Sequence, residues 1–207
     1  MGFTLSEFAA VRPFLFHVVA RENLPALRST MTLWSTAALA ERSGRNDILG
    51  ERRRQNVEVV IPEGSVGVRD QAPLSMGSVL FEGGWTAEDL LRELNHRVFL
   101  WPGWEWGPID YGRRHADKYA KTDVLLRLPT REVLGQSPQF CKYNSGSPRC
   151  YYGRKSPRGP ETFLPAGRCD FKPTKVVEVT FVDRLRLPDG TECRDSGDAQ
   201  WAALLTG

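Results

Sequence analysis

The run Phe14-Leu15-Phe16-His17-Val18-Val19 constrains this chain more than any other stretch, being short, rich in aromatic and β-branched residues, and interrupted by one histidine. Those properties predict a buried strand. Asn23 then stands where a helix over Leu24 to Thr30 begins, with a side-chain oxygen suited to an orphan amide of the first turn. Pro25 follows at a first-turn position that needs no amide hydrogen. A strand that hands the chain to a helix just beyond His17 leaves two readings of that histidine. It is a satisfied core or strand-end residue, or it belongs to a site built at the mouth of the strand.

The rest of the chain keeps the same short scale. Leu5 to Val11 predicts a helix stopped by Pro13, because proline restricts the residue before it and cannot continue the helix. Thr36 to Arg42 and Asp47 to Arg54 predict short helices that form a helical insertion. Val57 to Ile61, Pro62-Glu63-Gly64 and Ser65 to Arg69 predict a hairpin. Thr86-Ala87-Glu88-Asp89 opens a helix through Leu94 with capping-box chemistry, and His96 to Trp101 returns as a strand. Asp117 to Ala120 and Thr130 to Leu134 predict brief helices, Asp123 to Leu128 and Lys175 to Val182 predict strands, and Lys142 to Pro160 predicts a long loop. Strands separated by short helices without a regular βαβ cadence predict an α+β fold, organised as one domain over 1–207.

Composition narrows the function classes. Hydrophobic residues are 41% and charged residues 26%, ordinary globular usage. No apolar run approaches the ~20 residues that cross a bilayer, and the first eleven residues carry Glu7 and no basic cluster before Arg12, so a cytoplasmic protein without a membrane partner is expected. Cys141, Cys150, Cys169 and Cys193 form no C-x-x-C pair and read as reduced thiols with no metal role, although Cys141 and Cys150 are close enough in sequence to be bridged. The net charge of +3 is modest, but between Gly112 and Gly159 eleven Lys or Arg face three acids. Lys142, Arg149, Arg154, Lys155 and Arg158, with Tyr143, Tyr151 and Tyr152 among them, suit a single-stranded nucleic acid; a solvated loop is the plainer reading.

The local motifs for phosphate cradling, zinc proteolysis and acyl transfer are absent. What remains is a dispersed, ordered series: F-H-V-V-x-x-E-N-L from Phe16, L-W-S-T-A-A-L from Leu33, V-x-V-R-D-Q-A-P-L from Val66, L-N-x-R-V-F-L-W-P from Leu94, Y-N-S-G-S-P-R from Tyr143 and R-G-P-E-T-F from Arg158. This series resembles an uncharacterised bacterial domain family over most of the chain. More distantly, His17, Asn23-Leu24, Glu51-Arg52-Arg53, Asp70 to Pro73 and Glu178 resemble, in order, the pattern of the DarT-type ADP-ribosyltransferases, which use NAD to modify DNA bases. Val19 stands where that family carries a threonine, and Asn144-Ser145-Gly146 where it carries an aspartate-histidine step.

The resemblance implies an ADP-ribosyltransferase-like split mixed or antiparallel sheet, NAD as co-substrate, a nucleobase acceptor, and an antitoxin or immunity partner. Cleaving the bond between nicotinamide and ribose creates an oxocarbenium-like centre, which calls for a carboxylate near the ribose, a polar group on its hydroxyls and a cation for the pyrophosphate. Glu178, His17 and Arg53 are expected in those roles, with Glu161 as rival carboxylate and Asn23, Arg69 and Asn144 as further NAD contacts. The plainer alternatives are an exposed strand glutamate, a solvated Arg52-Arg53-Arg54 face, an Arg97 paired with Asp70, and Trp101, Trp104 and Trp106 as a packing knot. A non-enzymatic nucleic-acid or nucleotide-binding module and an NAD glycohydrolase are the competing functions.

Overall fold

A computed structural model describes residues 2–146, 157–195 and 200–205. In chain order its strands are β1 (Phe14–Ala20), β2 (Thr32–Trp34), β3 (Val57–Ile61), β4 (Gly64–Val68), β5 (Arg97–Trp104), β6 (Gly107–Pro108), β7 (Asp123–Pro129), β8 (Gln139–Cys141), β9 (Glu178–Val182), β10 (Arg184–Arg186), β11 (Glu192–Asp195) and β12 (Ala202–Ala203). The helices are α1 (Leu5–Val11), α2 (Leu24–Thr30), α3 (Thr36–Ser43), α4 (Ala87–Asn95), α5 (Asp110–Lys118) and α6 (Thr130–Val133). The fold is α+β, as the sequence predicts, and the strand pairings within its main sheet are antiparallel.

The main sheet runs β12-β11-β7-β1-β5-β9-β8, and its most consequential feature is how β5 changes partner. Along β1, the ladder to β7 is continuous from Phe14 to Ala20, but the ladder to β5 covers only Phe14 to Phe16, opposite Gly103 to Trp101. The preceding half of β5, Arg97 to Leu100, pairs instead with Val182 to Val179 of β9. The sheet therefore opens at His17, between β1 on one side and β5 with β9 on the other. At the closed end the strands meet tightly: a Cβ at Gly103 would lie 2.3 Å from the Gly107 carbonyl oxygen and 2.8 Å from the Phe16 ring, so only glycine fits.

The apolar sequence pattern is buried as written. Leu15, Val19, Leu100, Leu126, Leu128, Val179 and Phe181 form the main core, over which Phe3, Phe8 and Phe140 interlock edge-on or stacked. The β3–β4 hairpin packs on α3 through Val59, Ile61, Val66, Leu39 and Ala40 as a second cluster, and α4 buries Leu90, Leu91 and Leu94 with Leu74 and Phe163 as a third. Capping boxes are present at Thr4 with Glu7 and at Thr86 with Asp89. Among the described residues, no helix is long and apolar enough to cross a membrane.

Several local expectations change. Asn23 precedes α2 but its side chain makes no cap bond, because both of its polar atoms are engaged elsewhere. Asp47 to Arg54 is not a helix: a 3-10 turn ends at Ile48, and Gly50 leads into irregular chain. The helix expected at Asp117 begins at Asp110, and Gly112 within it is required, since a Cβ there would sit 2.7 Å from that of Trp101. Strand β9 starts at Glu178 because Pro173 to Lys175 form a 3-10 turn. Trp101 is buried as a packing residue, whereas Trp106 is 72% exposed and stacks on Trp104 with rings 5.6 Å apart. Cys141, Cys169 and Cys193 are free thiols, and Cys150 lies outside the described residues.

Candidate functional site

The opening in the sheet continues into a cavity of about 620 Å³. His17, Phe99, Trp101, Ser145 and Glu178 line it from the sheet side, and His115 and Tyr119 from α5 and its end. The β3–β4 hairpin and the chain that follows it contribute Val66, Arg69 and Asp70, while Leu27, Leu33 and Leu39 give it an apolar wall.

His17 occupies the split itself. Its Nδ1 lies 2.8 Å from the carbonyl oxygen of Phe99, which can only accept, so Nδ1 carries the proton and Nε2 is left as an acceptor. Deep placement in the protein pulls its pKa down to about 4, reinforced by nearby Arg69, and the ring is neutral at pH 7. Its surface is nevertheless part open, toward the cavity it lines. His115 is held neutral in the same way, its pKa lowered to about 4 first by burial and then by Arg69. It packs 4.7 Å from Trp101 and 4.9 Å from Tyr119, ring centre to ring centre.

Glu178 opens β9 and is 3% exposed. The Ser145 amide donates to its Oε2 at 3.0 Å. Burial pushes its pKa up to about 7, opposed by the Ser145 contacts and by Arg158, so near neutrality the carboxyl exchanges its proton. Arg158 is itself buried, donating to the carbonyls of Ser145 (3.1 Å) and Asn144 (3.0 Å) and lying 4.2 Å over the Tyr143 ring. The loop before β9 is thus fixed against the carboxylate by a guanidinium.

The other expected residues divide. Arg69 lines the cavity, ion-paired with buried Asp123 and stacked 4.2 Å over Tyr119. Arg53 also lines it, but bonds to the Arg69 and Ile48 carbonyls, Asn95 Oδ1 and Thr36 Oγ1, which leaves one N–H uncommitted. Burial lowers its pKa to about 10, still cationic at pH 7. It is neither a solvated helical face nor a free phosphate clamp. Asn23 receives the Gly67 amide at 2.7 Å and donates to the Gly67 carbonyl at 2.9 Å, so it pins β4 rather than waiting for a ligand. Asn144 lines the cavity beside Ser145.

Glu161 is not brought to the site. It is exposed, pairs with Arg168 at 2.8 Å and is not among the cavity-lining residues. Arg97 pairs with Glu93 at 2.6 Å, not with Asp70, whose carboxylate accepts from the Ala72 amide. Of the cations expected to track nucleic acid, Arg158 is buried and Lys142 pairs with Asp170 at 3.0 Å, which removes Arg158 from any surface contact. Arg149, Arg154 and Lys155 lie outside the described residues.

The span that carries the site matches a known family model. DUF7002, a family of unknown function, matches residues 13–189 of the 207. The chain belongs to that family. The matched span contains His17, Arg53, Arg69, Trp101, Ser145 and Glu178, so the whole cavity wall described above lies inside the DUF7002 domain. No curated protein and no solved structure matches the chain.

Sequence reasoning missed His115, Tyr119 and Trp101 as cavity residues, and singled out Ser145 only as part of the Asn144-Ser145-Gly146 step. His115 and Tyr119 fall in or beside a helix whose start was misplaced, and only the required Gly112 marks where that helix meets Trp101. Ser145 sits next to Asn144, which the ordered motif does signal.

Proposed function

We propose that this DUF7002 protein is an NAD-consuming ADP-ribosyltransferase with a nucleobase as acceptor. The observation that carries the reading is the meeting of His17 and Glu178, 161 positions apart in sequence, on one cavity at the split of the sheet. A neutral histidine with a free Nε2 acceptor suits a ribose hydroxyl. A buried carboxylate suits the positive charge that develops at the ribose carbon as nicotinamide leaves with the bonding electron pair. An acceptor nitrogen then bonds to that carbon and releases its proton, so the sum is NAD plus acceptor giving ADP-ribosyl-acceptor, nicotinamide and a proton. Arg53 and Arg69 keep positive charge near the cavity for a pyrophosphate. The ordered resemblance to the DarT-type enzymes supports a nucleobase over a protein side chain.

Purified protein incubated with NAD and, separately, single-stranded DNA, RNA or lysate protein is expected to release nicotinamide and to label one nucleic acid. Release without any macromolecule would make water the acceptor and the protein a glycohydrolase. No release from any mixture would end the proposal. In the same assay Glu161→Gln is expected to match the parent, because its carboxylate is on the surface in an ion pair.

A further inference from the structure

Ser145 is fully buried and lines the cavity, yet its main chain is already committed. Its amide donates to Glu178, its carbonyl accepts from Arg158 Nε, and the preceding Asn144 carbonyl accepts from Arg158 Nη2. With the backbone held from both sides, only rotation about the Cα–Cβ bond remains to the hydroxyl. Among the described residues that Oγ has no hydrogen-bond partner. It lies close enough to Glu178 to help hold the carboxyl pKa down, but not in hydrogen-bonding geometry. A buried hydroxyl left unpaired costs stability that alanine would avoid, so its presence calls for a partner that the described residues do not supply.

We infer that Ser145 Oγ is a substrate-contacting group that acts with Glu178 on a single sugar hydroxyl of the bound ligand. A hydroxyl both donates and accepts. It can donate to the Glu178 carboxylate while accepting from the Ser145 O–H, whereas a carbonyl or an ammonium group would serve only one of the two. The ligand group is thereby a sugar hydroxyl, and on the reading of the cavity given above, on which this inference rests, it belongs to the nicotinamide-side ribose of NAD.

The test compares the full-length parent and Ser145→Ala with NAD and with analogues lacking the 2′- or the 3′-hydroxyl of that ribose, measuring dissociation constants, nicotinamide release and melting temperature. Ser145→Ala is expected to melt at or above the parent's temperature, since no bond within the protein is lost, and to bind NAD about tenfold more weakly. One of the two analogues is expected to bind the parent and the variant equally, because its missing hydroxyl and the missing Oγ belong to one interaction. Unchanged NAD affinity in the variant, or losses that simply add for both analogues, would overturn the inference while leaving the NAD reading intact. A parent that neither binds nor cleaves NAD would overturn the reading and the inference together.

Discussion

Glu178→Gln is expected to cut nicotinamide release by at least ~10²-fold and, at pH 8, to unfold less readily than the parent. The first effect follows from removing a buried carboxylate that lines the cavity, where charge stabilisation of a transition state has its usual magnitude. The second follows from linkage. Burial raises the folded-state pKa of Glu178 from 4.5 to about 7, so between these values the folded protein binds the proton that the unfolded chain has lost. Its stability contribution is complete below pH 4.5 and is lost as pH rises through 7. A shift of this size corresponds to about 3 kcal/mol. Glutamine keeps an oxygen for the Ser145 amide and has no charge to bury, so the variant's advantage should be near full at pH 8 and mostly gone at pH 5. Urea unfolding at the two pH values measures it. A residue that lowers stability and is retained is explained by activity, and equal stability of the two proteins at pH 8 would remove that argument.

Arg158→Met is expected to destabilise the fold by about 3–5 kcal/mol, the scale seen when one partner of a buried polar or charged network is removed. The loss leaves the Asn144 and Ser145 carbonyls without their donors inside the protein and removes the cation beside Glu178. The Glu178 pKa should therefore rise further in any variant that still folds. Were Arg158 a nucleic-acid contact on a solvated loop, the same substitution would change stability by a few tenths of a kcal/mol and would flatten the salt dependence of binding instead.

The contrast between these two residues shows how far the sequence reaches. Strands that are short apolar runs were legible, because burial of β1, β3, β7 and β9 follows directly from their Val, Leu and Phe content. Helix α4 was legible from its capping box and α1 from its stop before Pro13. Helix α5 was caught only at its end, since Asp110–Lys118 is nearly all polar or charged and its position depends on the contact of Gly112 with Trp101. Among site residues, His17 was found as the polar residue inside an apolar strand and Glu178 as the polar residue that opens one, each within an ordered series. Asn23, Arg53 and Arg158 look from sequence like ligand-binding polar groups, and only the fold reveals that their donors and acceptors hold Gly67, Asn95 and the loop before β9. A polar residue's partner at long sequence separation is set by topology, which single-chain spacing does not carry.

His17 and Glu178 are proposed to address the same bound NAD. A crystal structure of Glu178→Gln soaked with NAD tests it most directly, because the substituted protein should hold the dinucleotide without cleaving it. The nicotinamide-side ribose is expected within hydrogen-bonding distance of both the His17 Nε2 and the substituted side chain of Glu178→Gln, at the split between β1 and β5. NAD bound away from that split, or a cavity that stays without NAD at saturating concentration, would contradict it.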